Sequence, residues 1–286
     1  MIIPQPETER IIISRLVFIF MFIFLLFRFF LHITPSHLLQ PSLFILNLDF
    51  SYWAYKFLGL PNLIIYNNTG TVLFDSCLFL FCFLCIVFPL KQIFVVPFGF
   101  LFLIYAITYN TFIVHHAHPL AVMMLITLPF WVKRNQSWKL LWEGMRYYIC
   151  YIYTMSFIWK VFLGSTFWYW DQGIITTKYN LVEYIYHNPA TAMTSIYKFF
   201  IAHQPLLNAG NILIILLEGL MVIGFFTKRY DRYLLFLPVI IHLSTYFFSD
   251  VFFIEWLVLI FVFFTKKDVD IITKRFPVLL KSFRHA

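Results

Sequence analysis

Charge is scarce in this chain. Asp, Glu, Lys and Arg together make up 12% of its 286 residues, about half the share a soluble domain carries. With 62% hydrophobic residues, that scarcity excludes an ordinary soluble globule and reads as an integral membrane protein. Cysteine is scarce too. Cys77, Cys82, Cys85 and Cys150 all lie in apolar runs, which excludes a disulfide framework stapling exposed loops. Cys82 and Cys85 form a C-x-x-C within an apolar run; a redox pair and two ordinary buried thiols are its competing readings. No repeat, low-complexity tract or helical H-x-x-x-H or H-E-x-x-H pattern is present, so solenoid architectures and the common zinc motifs have no support. The run Leu16–Leu31 after Arg10 and Arg15 exceeds the 7–15 residues of a signal-peptide core and lacks a small-x-small site behind it. It is expected to be a retained first span.

What the chain has in abundance is long apolar runs. They predict an all-α, polytopic transmembrane bundle forming one domain over residues 1–286, with about eight spans near 12–32, 72–89, 92–110, 118–132, 141–163, 207–227, 231–248 and 252–265. The fourth and eighth are short. With the N-terminus on the cytoplasmic side, most Lys and Arg fall inside: Arg10, Arg15, Lys91, the 133–139 cluster, the 228–232 cluster and the basic tail from Lys266 to Arg284. Lys56, Lys178 and Lys198 fall outside. The positive-inside rule asks for this asymmetry, so the net charge of +8 is accounted for by topology and needs no nucleic acid. Both termini are then cytoplasmic, and the expected location is a bacterial inner membrane. Two outer connections are long. Leu43–Leu60 reads as an interfacial helix, Trp168-Tyr169-Trp170 as an aromatic belt, and Pro189 to Gln204 as a second surface helix.

Three cations fall within the spans: Arg28, Arg146 and Lys160. A charge at the bilayer centre costs roughly 2.5–3.5 kcal/mol on insertion scales. Arg146, Tyr153 and Lys160 are seven residues apart, so on a helix each step drifts only about 20°. They make one stripe, with Ser156 and Cys150 beside it, and its ends are roughly 21 Å apart at 1.5 Å per residue. Glu143 stands three before Arg146 and can pair with it. Lys160 has no carboxylate at i±3 or i±4. Its partner must therefore come from another helix, or its amine is neutral, or it snorkels to the nearby interface. Other ionisable groups fall at the outer or middle depth: Arg28 and His32, Asp75, the His115-His116-Ala117-His118 cluster, Glu218, His242 and Glu255. Such groups usually face a bundle interior or a wet cavity, which predicts one polar cavity leaning outward. The histidine cluster is open to three readings: a metal site needing a further ligand, an acid–base or hydrogen-bonding group, or a polar interfacial loop.

The stretch Arg146-Tyr-Tyr-Ile-Cys-Tyr-Ile-Tyr153-Thr-Met-Ser-Phe-Ile-Trp-Lys160, followed by Trp168, Trp170 and Gly173, resembles the R…Y…A-G-x-x-K…W…G block of the vitamin K-dependent gamma-carboxylase-like family. Its transmembrane part is also called the horizontally transferred transmembrane domain and is related to DoxX-like proteins. Arg28, the His/Asn-rich turn (Asn110, His115, His116, His118), Glu218-Gly219 and His242-Leu243 agree with the family more loosely. Ser156-Phe157 stands where the family has Ala-Gly. The family's large lumenal domain has no counterpart in the basic residues after the last span.

The resemblance implies a lysine base, here Lys160, acting on a reduced quinone of menaquinone or vitamin K type. The deprotonated quinone then reacts with oxygen. Burial disfavours an ammonium, and a neutral amine in a dry pocket can take a phenolic proton. In this reading His242 and one of His115, His116 or His118 orient or donate to the quinone. Arg28, Tyr153, Arg146, Glu218 and Trp159 line the cofactor site, and the partners are the bilayer and the quinone. A non-catalytic, DoxX-like accessory subunit of a membrane assembly is the competing expectation. A transporter would call for inverted repeats and mid-span breaks; only Pro129 and Pro238 approach the latter.

Overall fold

A computed structural model describes residues 6–37, 50–112, 118–163, 178, 181–182, 184–249 and 254–277. Among these residues the protein is helical, with no strand. The α-helices are α1 (Pro6–Phe30), α2 (Phe50–Phe57), α3 (Leu60–Ile64), α4 (Asn68–Val87), α5 (Gln92–Phe112), α6 (His118–Leu125), α7 (Asn135–Ile158), α8 (Ala192–Ala202), α9 (Gln204–Leu220), α10 (Phe236–Ser249) and α11 (Lys266–Arg275). Single turns at Ile223–Phe226 and Asp231–Leu234 flank the loop between α9 and α10. Four stretches are long and apolar enough to cross a membrane: Glu7–His37, Asn68–Val87, Gln92–Tyr109 and Gln204–Phe226.

The other expected spans take different forms, each with a local cause. The fourth stops at Leu125 and resumes as a 3-10 turn, Leu128–Trp131, because Pro129 has no N–H to give an α-helical bond. α7 has the length to cross, but its turns carry Glu143, Arg146 and a series of tyrosines. The seventh is interrupted at Leu235, three residues before Pro238. Residues Ile254–Phe263 of the eighth form a 3-10 helix. At about 2.0 Å rise per residue that winding covers a third more distance than an α-helix of equal length, which suits a short apolar run. Of the two surface helices expected between spans, the described parts are α2 and α8.

The chain divides into two compact units, Met1–Glu143 with Phe264–Ala286, and Gly144–Phe263. In the first, α1 packs on α4, α4 on α5 and α5 on α6. Phe18 sits at the centre, its ring 5.6 Å from Phe98 and 5.7 Å from Phe130. The abundance of phenylalanine here serves ring-on-ring packing. Cys82 and Cys85 are free and fully buried thiols, and Cys82 Sγ lies 3.6 Å from the Phe18 carbonyl oxygen.

Polar side chains of this unit close helix ends. Arg10 donates to the carbonyls of Val132 and Lys133, the latter at 2.9 Å. Ser14 donates to Pro89 O at 2.9 Å, and Arg15 to Ile86 O at 3.2 Å. Gln92 donates to Trp131 O. The last carbonyls of a helix have no partner within it, and in hydrocarbon each unsatisfied one costs several kcal/mol. A cation at a helix C-terminus also suits the macrodipole.

In the second unit α9 packs on α8 and α10, and α10 on the 3-10 helix. Close approach depends on two glycines. A Cβ at Gly219 would press on the Phe157 ring at 3.0 Å, and one at Gly224 would overlap Cys150 Sγ. The Phe157 ring therefore packs against a glycine on the facing helix.

Candidate functional site

α7 does not end cleanly. Its last turn, Trp159–Leu163, widens into a π-helix, a form that is rare and frequent at functional sites. Lys160 lies in this turn. Its Nζ donates to Glu218 Oε1 of α9 at 2.5 Å. The second oxygen of Glu218 accepts from Ser156 Oγ at 3.2 Å. The two partners differ in exposure: the Lys160 side chain is 38% accessible and that of Glu218 only 6%. The carboxylate is thus held inside by two donors, and the amine is the side of the pair open to a visitor.

One heptad back, Tyr153 Oη and His242 Nε2 of α10 share a hydrogen bond of 2.7 Å. Tyr153 is buried. The His242 ring stacks on Trp256 of the 3-10 helix at 5.9 Å with 21° between planes, and Tyr153 meets the same indole edge-on at 6.0 Å. Tyr153 stands one turn before Ser156, which donates to Glu218, so the two contacts follow one another along α7.

A further heptad back, Arg146 forks onto Asp231. Its Nε donates to Oδ2 at 2.9 Å and one terminal nitrogen to Oδ1 at 2.6 Å; the same nitrogen reaches Thr227 O at 3.0 Å. Both side chains are buried, at 3% and 8%. A bidentate fork is the strongest geometry an arginine offers a carboxylate, and a buried arginine without one would leave its charge uncompensated.

The structure therefore brings Lys160, Glu218, Tyr153 and His242 together, with Ser156 and Trp256, and sets Arg146 on Asp231 along the same stripe. Trp159 stays at the surface, 63% exposed. Arg28 belongs to the first unit. It is buried, with its guanidinium 4.0 Å from the Tyr109 ring centroid, 5.4 Å from Phe24 and 5.6 Å from Tyr105, a cation wrapped in aromatic faces. His118 opens α6, also in the first unit. His115, His116, Trp168, Tyr169, Trp170 and Gly173 lie outside the described residues. Among the described residues no group of three or more His, Cys, Asp or Glu is placed to hold a metal ion.

Sequence reasoning did not single out Asp231 or Trp256. Asp231 carried a signal: it opens the expected seventh span, at the end matching that of Arg146 in the expected fifth. Trp256 carried none beyond its neighbour Glu255. These features define a helical protein with, among the described residues, four helices of membrane-crossing length and composition and a polar cluster on one long helix. Comparison with protein-family models, curated proteins and solved structures finds no match to the chain.

Proposed function

We propose that the chain is an eight-span membrane protein, with both termini cytoplasmic, whose α7 cluster moves a proton in a reaction on a reduced quinone. The four apolar helices and the biased placement of Lys and Arg support the topology, with the interrupted fourth and seventh, the polar fifth and the 3-10 eighth spans completed by protein contacts. One observation carries the functional reading. Each member of the 146–153–160 stripe meets a polar partner from a different segment, and two of those contacts, Lys160–Glu218 and Tyr153–His242, adjoin.

Lys160 is the base in this reading. Passing the shared proton from Nζ to Glu218 leaves an amine on the open side of the pair, able to act as a base. The amine then takes the phenolic proton of a quinol that enters sideways from the bilayer. His242, fixed by Tyr153 and stacked on Trp256, donates to or orients the quinone oxygen. Arg146 holds α7 in register through Asp231, and Arg28 supports the first unit or faces an anion. A menaquinone or vitamin K type of ring is the fitting cofactor. The test is Lys160→Ala in vesicles supplied with a quinol. Loss of a positioned base removes on the order of 10²–10⁴ in rate; quinol oxidation at full rate would overturn the assignment.

One feature favours a second reading. Lys160 is already closed on Glu218, and a stripe with every cation paired also suits a helix riveted into a non-catalytic, DoxX-like accessory subunit. That reading expects Lys160→Met to be tolerated in the cell and a partner protein to copurify in stoichiometric amount.

A further inference from the structure

We propose that α11 is a docking face for anionic phospholipid headgroups. The inference rests on the membrane reading above and not on the polar cluster. α11 is the segment Lys266-Lys-Asp-Val-Asp-Ile-Ile-Thr-Lys-Arg275, fixed at its start by a reciprocal cap. Thr265 Oγ1 accepts from the Asp268 backbone N–H, and the Asp268 side chain accepts from the Thr265 N–H at 2.9 Å. The cap occupies Asp268, so Asp270 is the one other acid in the helix. α11 packs against α1, and Val269 is its buried residue.

The opposite side is left open. At 3.6 residues per turn, Lys267, Ile271, Lys274 and Arg275 share a sector of about 100°. Lys267, Lys274 and Arg275 are exposed, Ile271 is 48% accessible, and Phe276 just beyond the helix is 51% accessible. Cations flanking exposed apolar side chains on a short capped helix are the composition of a helix lying in a membrane interface. Its charge complements an acidic leaflet, where each Lys or Arg near the surface strengthens binding about fivefold. The other cations near the start of α1 are used elsewhere: Arg10 and Arg15 are buried on backbone carbonyls, so they do not compete for headgroups.

The full chain, reconstituted in discs and released into detergent, is tested for lipids retained, by native mass spectrometry with phosphatidylglycerol against phosphatidylcholine. The wild type is expected to keep phosphatidylglycerol preferentially, less so as salt rises. The triple variant K267Q/K274Q/R275Q alters exposed side chains and leaves the cap intact. It is expected to lose the preference by roughly a hundredfold, at about fivefold per charge. K56Q/K198Q, two exposed cations on α2 and α8, is expected to behave as wild type. An unchanged preference in the triple variant overturns the proposal, as does an equal loss in the control. So does self-association through α11, read as a concentration-dependent oligomer that the triple variant abolishes while lipid retention stays constant. A chain that fails to enter discs at all contradicts the membrane reading instead.

Discussion

At the helix ends of the first unit four polar side chains reach for the backbone; along α7 in the second unit three reach for other side chains. Arg10, Ser14, Arg15 and Gln92 each end on a carbonyl where a helix finishes. Arg146, Tyr153 and Lys160 each end on a side chain of another segment. The difference is one of purpose. A backbone carbonyl is fixed, neutral and not titratable, so a side chain bonded to it only closes a helix end. A carboxylate, an imidazole and a phenol exchange protons, and a helix lined with them on one stripe can do chemistry as well as pack. The first unit thus reads as scaffold and the second as the place where a reaction would be sought.

The sharpest way to test that contrast is to strand a charge in the second unit. Asp231→Ala leaves Arg146 buried and without its fork. Breaking a buried pair in this way costs about 3–5 kcal/mol, read as the shift of an unfolding curve in mixed micelles with rising SDS. If the loss is under about 1 kcal/mol, Arg146 is not the anchor of α7, and the stripe has no rigid end.

The corresponding change in the first unit is milder. Arg10→Ala removes the donor, not the carbonyls, and the Val132 and Lys133 carbonyls just past the 3-10 turn can be rescued by water. The expected loss is about 1.5–3 kcal/mol, the range for hydrogen bonds made by a charged group. If Arg10→Ala costs as much as Asp231→Ala, the division into scaffold and chemical units loses its energetic basis.

The stripe was legible from spacing, because seven residues nearly close two helical turns. So was the fact that any carboxylate partner of Lys160 had to come from another helix, because no acid stands within one turn. Which acid it would be was not legible. Glu218, Asp75 and Glu255 all fall at suitable depth, and depth along an axis says nothing about which helix lies alongside. Arg146 teaches the same lesson from the other side. Glu143 was in local reach, yet the fork goes to Asp231, 85 positions on, because a flat guanidinium matches a carboxylate approaching end-on from a facing segment. The breaks at Thr127 and Leu235 were legible in principle from Pro129 and Pro238, since a proline disrupts the turn before it. The 3-10 winding of Ile254–Phe263 was not, because apolar composition is indifferent to the pitch that carries it.

The finest test of the comparison removes a single oxygen. Tyr153→Phe keeps the ring, its burial and its edge-on contact with Trp256, and deletes only the hydroxyl that meets His242. A neutral hydrogen bond contributes about 0.5–1.5 kcal/mol, so stability is expected to fall by about 1 kcal/mol. The functional expectation is separate from that number. If His242 serves only to pack, quinol oxidation follows the fraction folded and nothing more changes. If Tyr153 fixes the ring for proton transfer, the rate drops in fully folded protein and its pH dependence changes, because an imidazole without its phenol partner titrates in a different field. A variant whose rate and pH profile both match wild type would leave the Tyr153–His242 pair as packing and confine the proton chemistry to Lys160 and Glu218.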